Sequence, residues 1–377
     1  MTHLERFLNV MEYRPVDRLP NWEYGAWGQT IERWKQEGLN VDAMHWDMIT
    51  GVPELHLDPR EYIHIDTSLN PPFEVEVLER TDRHEIIRSP KGIVTKALIE
   101  GTMRGTRMSM DQYLSWPVTC QEDFDALKKR LDPTEPRRLD LYWEQFRLEG
   151  WKRRTHPLVL GENCTTLGFY WRMRDWMGTE NLSYAFYDDP DLVHDMCNFH
   201  ADFLIEVTRP ILDKVAPDFM FVNEDMAMKN GPLLSPELYR EFIFPHMRRL
   251  VEVVKSKGVK YVVVDSDGNP EPLIPLLMEA GVDAIWPMER ASEGTDPLFL
   301  RKKYGRDLRL WGGIDKREIA KGRDAIDAHL RSLIPLVEDG GFIPTIDHTI
   351  PPDVSLDTFW YYMEKKEQLL NFEFDKI

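Results

Sequence analysis

The chain has 377 residues, 42% of them apolar and 30% charged, enough to bury a large core as one big domain or two ordinary ones. A mean hydropathy of -0.45 with no long uncharged apolar run excludes a membrane span. A formal net charge of -18 with no basic stripe excludes a nucleic-acid partner.

Three cysteines, Cys120, Cys164 and Cys197, are an odd number with no C-x-x-C spacing, which points to a reducing cytoplasm and no thiolate zinc site. The start, Met1-Thr-His-Leu-Glu-Arg6, lacks the basic and apolar blocks of a secretion signal, in keeping with a cytoplasmic protein. Residues 1–18 read as an amphipathic helix, 19–25 as a short strand and 30–38 as a second helix. His45-Trp-Asp-Met48 reads as the end of a further strand. From 67 to 116 the pattern changes. Glu74-Val-Glu-Val77 and Glu85-Ile-Ile-Arg88 alternate, and Ser89-Pro-Lys-Gly92 is a turn, so an antiparallel insertion is expected there.

Helices are expected over 122–131 and 141–150, joined by a linker at 133–138. After them a unit repeats: an apolar strand ending in polar residues, a loop, then a capped amphipathic helix. The strands fall at 157–163, 219–225, 261–267, 284–289, 308–315 and 341–348. Asp189-Pro190, Ser235-Pro236 and Asp296-Pro297 pair an N-cap with a proline suited to the first helical turn. Gly258, Gly281 and Gly305 sit where helices close, and Ile326, Leu330, Leu333 and Val337 mark one buried helical face. Six such units plus the strands near Leu19 and Trp46 make eight. The expected fold is a (β/α)8 TIM barrel, one domain over 1–377 with the N-terminal insertion at about 67–116. The rival, an open doubly wound sheet, normally carries a glycine-rich phosphate loop after an early strand; Gly161-Glu-Asn-Cys164 is not one.

Polar residues close these strands: Glu23, Asn163, Glu224 with Asp225, Asp265 with Asp267, Glu289, Asp315, and Asp347 with His348. Capping of the following helix is the competing explanation for Asp225, Glu289 and Asp315. Tyr261-Val-Val-Val-Asp265 has no polar face, so it reads as a strand covered on both sides. Asp265 and Asp267 then project the same way, and two like charges repel unless a cation or a shared proton separates them. His348 closes the last strand. Together Asp265, Asp267 and His348, with Glu224 as fourth ligand or general acid, suit Zn2+ first, with Mn2+ or Fe2+ as alternatives. Trp22, Trp27, Tyr170 and Trp286 can wall a pocket for a small-molecule substrate, with Glu23, Asn163 and Glu289 at its rim.

Arg14-Pro-Val-Asp-Arg-Leu-Pro20, Ser235-Pro-Glu-Leu-Tyr-Arg-Glu-Phe-Ile-Phe-Pro245, Leu273-Ile-Pro-Leu-Leu-Met-Glu-Ala-Gly-Val-Asp283, Gly312-Gly-Ile-Asp315 and Ile350-Pro-Pro-Asp353 together resemble the uroporphyrinogen decarboxylase superfamily. That resemblance implies a (β/α)8 barrel and either of two activities, the haem-pathway decarboxylation or a cobalamin-linked methyl transfer. It also implies a homodimer, a frequent assembly in such families. Where the haem-pathway decarboxylases carry Arg-Gln-Ala-Gly-Arg, this chain has Glu23-Tyr-Gly-Ala-Trp-Gly-Gln29, without the arginines that hold substrate carboxylates. Where the zinc methyltransferases end the fifth strand in His-x-Cys and the eighth in Cys, this chain has Asp265-x-Asp267 and His348.

The leading expectation is therefore a metal-dependent methyltransferase. It takes a methyl group from a small methylated compound, such as an O-methyl ether, and gives it to cobalamin on a separate corrinoid protein, since the chain has no Asp-x-His-x-x-Gly corrinoid motif. The alternative is a metal-free decarboxylase-like lyase in which Asp47 or Asp265 faces a cationic intermediate and His348 or Tyr170 moves protons. A barrel retained as a binding scaffold is the third.

Overall fold

The computed structural model describes residues 1–40, 55–103, 107, 109–161 and 167–377. Its centre is a seven-stranded parallel sheet, within an α/β fold. In chain order the strands are β1 (Glu61–Ile63), β2 (Glu76–Arg80), β3 (His84–Arg88), β4 (Val94–Leu98), β5 (Gln112–Ser115), β6 (Leu158–Leu160), β7 (Phe219–Asn223), β8 (Ala227–Met228), β9 (Gly231–Pro232), β10 (Tyr261–Asp265), β11 (Ala284–Trp286), β12 (Arg309–Trp311) and β13 (Phe342–Ile343). The parallel sheet runs β1-β6-β7-β10-β11-β12-β13. Val262, Val263 and Val264 are fully buried, as a strand with apolar side chains on both faces requires.

The helices between the strands follow the sequence closely. Asp189, Ser235 and Asp296 each accept a first-turn N–H with the side chain, from Leu192, Leu238 and Phe299. Helix Arg323–Asp339 buries Ile326, Leu330, Leu333 and Val337. Among the described residues no helix is long and apolar enough to cross a membrane. The expected antiparallel excursion is a separate four-stranded sheet, β2-β3-β4-β5, with the β3–β4 turn closed by the Gly92 N–H on the Ser89 carbonyl at 2.8 Å. Gly92 has φ +81°, a conformation that favours glycine at that corner.

The parallel sheet has one edge strand that the sequence reading did not place. The strand expected near Trp46 falls outside the described residues, and Glu61–Ile63 forms the edge of the parallel sheet. The 21–26 segment is hydrogen-bonded to the chain just before β1 and to the chain after β13. On one side Asp58 N–H donates to the Asn21 carbonyl at 2.8 Å. On the other, Ile350 N–H donates to the Gly25 carbonyl at 3.0 Å, and Ala26 bridges Ile350 in parallel.

What holds this segment is a buried ion pair. Glu23 points away from Trp22 and Tyr24, toward helix Leu356–Leu370. Its Oε1 accepts from the backbone N–H groups of Tyr24 at 2.9 Å and Ile346 at 2.8 Å. Its Oε2 accepts from the Tyr362 hydroxyl at 2.5 Å and Lys366 Nζ at 2.7 Å. Lys366 also donates to the Trp22 carbonyl. Both charged side chains are wholly buried, and burial is the largest influence on Lys366, pulling its pKa below the ordinary lysine range. All four donors thus converge on one carboxylate, which accounts for Glu23 as a strut. Removing one partner strands the other charge in the core. Lys366→Met is expected to lower unfolding stability in urea at pH 7 by about 3–5 kcal/mol, with Glu23→Leu/Lys366→Met recovering much of it. A single variant as stable as the parent would show that the pair does not hold the segment.

Candidate active site at the carboxyl ends of the strands

β7 and β10 pair over five residues, ending with Asp265 opposite Asn223, and β10 pairs with β11 so that Asp265 also faces Trp286. The Asn223 side-chain amide donates to Asp265 Oδ2 in a short hydrogen bond. Asp265 is 8% exposed, and its carbonyl continues the ladder by accepting from Glu224 N–H at 2.8 Å. The chain leaves the strand at Ser266, and Asp267 stands beyond it with 37% of its side chain exposed. There Asp267 Oδ2 meets His348 Nε2 at 3.4 Å.

Burial pulls His348 toward the neutral form, but the hydrogen bond and charge of Asp267 outweigh it, and the imidazole sits above its ordinary range. Rings surround it. Tyr24 lies 6.1 Å away and near-parallel, and Trp27 lies 5.7 Å away. Tyr24 in turn stacks on Trp286 at 4.3 Å, and Phe221 packs edge-on against Trp286 at 5.2 Å. The result is a carboxylate–imidazole dyad over an aromatic wall.

The other acids are committed to partners. Glu224 is fully buried and accepts from the N–H groups of Phe169 at 2.9 Å and Tyr170 at 2.7 Å, at the start of helix Phe169–Met177. Burial pushes its pKa up to about 7 against the pull of those N–H groups. The helix comes this close because residue 168 is glycine: a Cβ there would lie 1.9 Å from the Asn223 carbonyl oxygen. Asp225 pairs with Arg174 at 2.7 Å. Tyr170 is buried, its hydroxyl has no hydrogen-bond partner among the described residues, and burial pushes its pKa up to about 12. Glu289 pairs with Lys316 at 2.9 Å and accepts from Gly268 N–H at 3.3 Å. Asp315 caps helix Lys316–Ala320. Asp347 accepts from the N–H groups of Arg290 at 2.8 Å and Lys316 at 3.0 Å, and burial pushes its pKa up to about 6.

The expected ligand quartet is thus not one cluster. Asp267 and His348 stand together, Asp265 is turned to Asn223, and Glu224 is turned to a helix terminus. Among the described residues no group of three or more His, Cys, Asp or Glu side chains is arranged to hold a metal, and a zinc site takes at least three protein ligands. The donors present do not fit the expected ion.

Trp27 and Trp286 line the wall beside His348, whereas Trp22 lies deeper, against Phe7, Phe219 and Trp311. Asp47 and Asn163 fall outside the described residues. Sequence reading passed over Arg174, Lys316, Tyr24 and Asn223. Tyr24 and Asn223 stood within predicted strands, one residue from positions singled out.

The family model described as uroporphyrinogen decarboxylase (URO-D) matches residues 164–368. The methylated-thiol-coenzyme M methyltransferase of Methanosarcina mazei is 25% identical over 139 residues, 37% of this chain and 34% of that protein, so the match spans about a third of that relative's length. The uroporphyrinogen decarboxylase of Crocosphaera subtropica is 22% identical over 270 residues, 67% of this chain and 70% of that protein. Among solved structures, a methyltransferase from Methanosarcina mazei superposes with a TM-score of 0.57 at 14% identity, covering 97% of this chain and 99% of that one; the likeness is one of fold.

A raised imidazole has a signed consequence. The stability contributed by the Asp267–His348 pair is fully present below the ordinary value of 6.5 and is lost as pH rises through the folded-state value. NMR titration of the His348 ring is expected to give a midpoint above 6.5, and Asp267→Asn to bring it down. An unmoved midpoint in the variant would break the assignment of Asp267 as the cause.

Proposed function

The chain belongs to the uroporphyrinogen decarboxylase (URO-D) family, and from that premise we propose that it is an enzyme of methyl transfer, moving a methyl group from a small methylated compound to a corrinoid protein. The scaffold in this reading is one (β/α)8 barrel domain over 1–377, with the 21–26 segment as its eighth stave and 67–116 as an insertion. The hydrogen bonds on both flanks of that segment support it. The observation that carries the function is the Asp267–His348 dyad beside the Tyr24, Trp27 and Trp286 rings, placed where ligands enter such barrels.

The chemistry follows from those residues. The rings hold an apolar methylated group and keep water from it. When the methyl carbon is taken by the acceptor's nucleophile, the bond to oxygen breaks and its electron pair stays on oxygen. A proton from His348 neutralises that charge, and Asp267 keeps the imidazole protonated until the transfer. Asp265, held by Asn223, fixes the end of β10 from which Asp267 extends. No step is routed through a metal ion, because the donors among the described residues do not fit one.

Free cob(I)alamin can stand in for the acceptor. With methyl ethers and methyl thioethers as donors, the purified chain is expected to form methylcobalamin, followed by its absorbance. Asp267→Ala and His348→Gln are each expected to lower the rate by about 10²–10⁴-fold, the usual worth of a positioned general acid. The decarboxylase reading is the alternative, favoured by the 270-residue alignment with the Crocosphaera enzyme. Loss of CO2 from uroporphyrinogen with no methylcobalamin from any donor would replace the first reading by the second.

A further inference from the structure

Asp267 lies past the last paired residue of β10, and His348 lies past the end of β13. Their side chains are 37% and 24% exposed, and an ion pair that open to water contributes little. So weak a contact does not hold two loops in register by itself. The residues beside it supply a path that does.

Gly268, directly after Asp267, donates its N–H to Glu289 Oε2 at 3.3 Å. Glu289 Oε1 accepts from Lys316 Nζ at 2.9 Å, and the Lys316 backbone N–H donates to Asp347 Oδ1 at 3.0 Å. Asp347 directly precedes His348, so the path returns to the dyad and closes a ring. Its links come from the ends of β10, β11, β12 and β13, which are consecutive strands of the parallel sheet. Further bonds fix the members of the ring. Asp347 Oδ2 accepts from Arg290 N–H at 2.8 Å, the Glu289 carbonyl from the Thr295 hydroxyl at 2.7 Å, and the Asp267 carbonyl from the Ser266 hydroxyl at 3.2 Å. Gly268 has φ +75°, and a Cβ there would lie 2.6 Å from the Ala227 carbonyl oxygen, so its backbone is pressed onto β8. Glu289 and Lys316, at 21% and 17% exposed, are the two side chains that span the gap between the loops. We propose that they are positioning residues of the dyad: with Asp347 they form a brace that fixes the loop bearing Asp267 relative to the one bearing His348.

The same residues also act on His348 as charges. Burial and the Lys316 charge oppose its protonation, Asp267 and Glu289 favour it, and Asp225 at the end of β7 is within range of both dyad members. Deleting Lys316 therefore removes an opposing charge and loosens the brace at once. A double-mutant cycle separates the two effects, because independent charges add and a shared geometry does not.

The inference takes from the methyl-transfer reading only the use to which the dyad's proton is put, and its test needs no turnover. The His348 midpoint is followed by NMR in the parent, Asp267→Asn, Lys316→Met and the double variant. Asp267→Asn is expected to lower the midpoint in the parent, and to lower it by less than about half as much in the Lys316→Met background. Lys316→Arg, which keeps a cation facing Glu289, is expected to restore most of the drop. Glu289→Ala is expected to act as Lys316→Met does, and it carries the test if circular dichroism shows Lys316→Met unfolded. No drop in the parent, or an equal drop in the parent and a folded brace variant, would overturn the proposal. An equal drop together with methylcobalamin formation would remove the brace and leave the methyl-transfer reading. A reduced drop without methylcobalamin from any donor would leave the brace and remove that reading instead.

Discussion

The pairing of β10 with its two neighbours is the constraint on which the site depends. Asn223, Asp265 and Trp286 are placed side by side by backbone register alone, in strands whose residues are buried. A slip of one residue would turn Val264 inward and send Asp265 into the helical layer, at the cost of a buried charge. The apolar run of β10 therefore does more than fill the core. It sets the height at which Asp265 ends and Asp267 begins.

Acidity at this end of the sheet is managed by giving each carboxylate a different partner. Glu224 and Asp347 take backbone N–H groups, Asp225 takes Arg174, Glu289 takes Lys316, and Asp265 takes an amide. Asp267 is left with the imidazole, 37% of its side chain exposed.

Much of this was legible in the residues. The strands around Phe219 and Tyr261, the caps at Asp189, Ser235 and Asp296, and the buried face of helix Arg323–Asp339 follow from local pattern, which local forces decide. Asp267 and His348 meet although 81 positions separate them in the chain, because each follows a strand of one parallel sheet, β10 and β13. The metal quartet was not assembled because position at a strand end gives no direction. Glu224 follows Asn223 by one residue and so faces the helix instead of the interior, and Glu23 departs from Trp22 and Tyr24 for the same reason.

Helix Phe169–Met177 and β7 are fastened at three points: the bare backbone of Gly168 against the Asn223 carbonyl, the Glu224 cap, and the Arg174–Asp225 pair. Three attachments at the consecutive residues Asn223, Glu224 and Asp225 couple the strand end to the helix. Strand and helix therefore travel together as one rigid jaw, and whatever motion admits a ligand is left to parts of the rim that lack such a triple fastening.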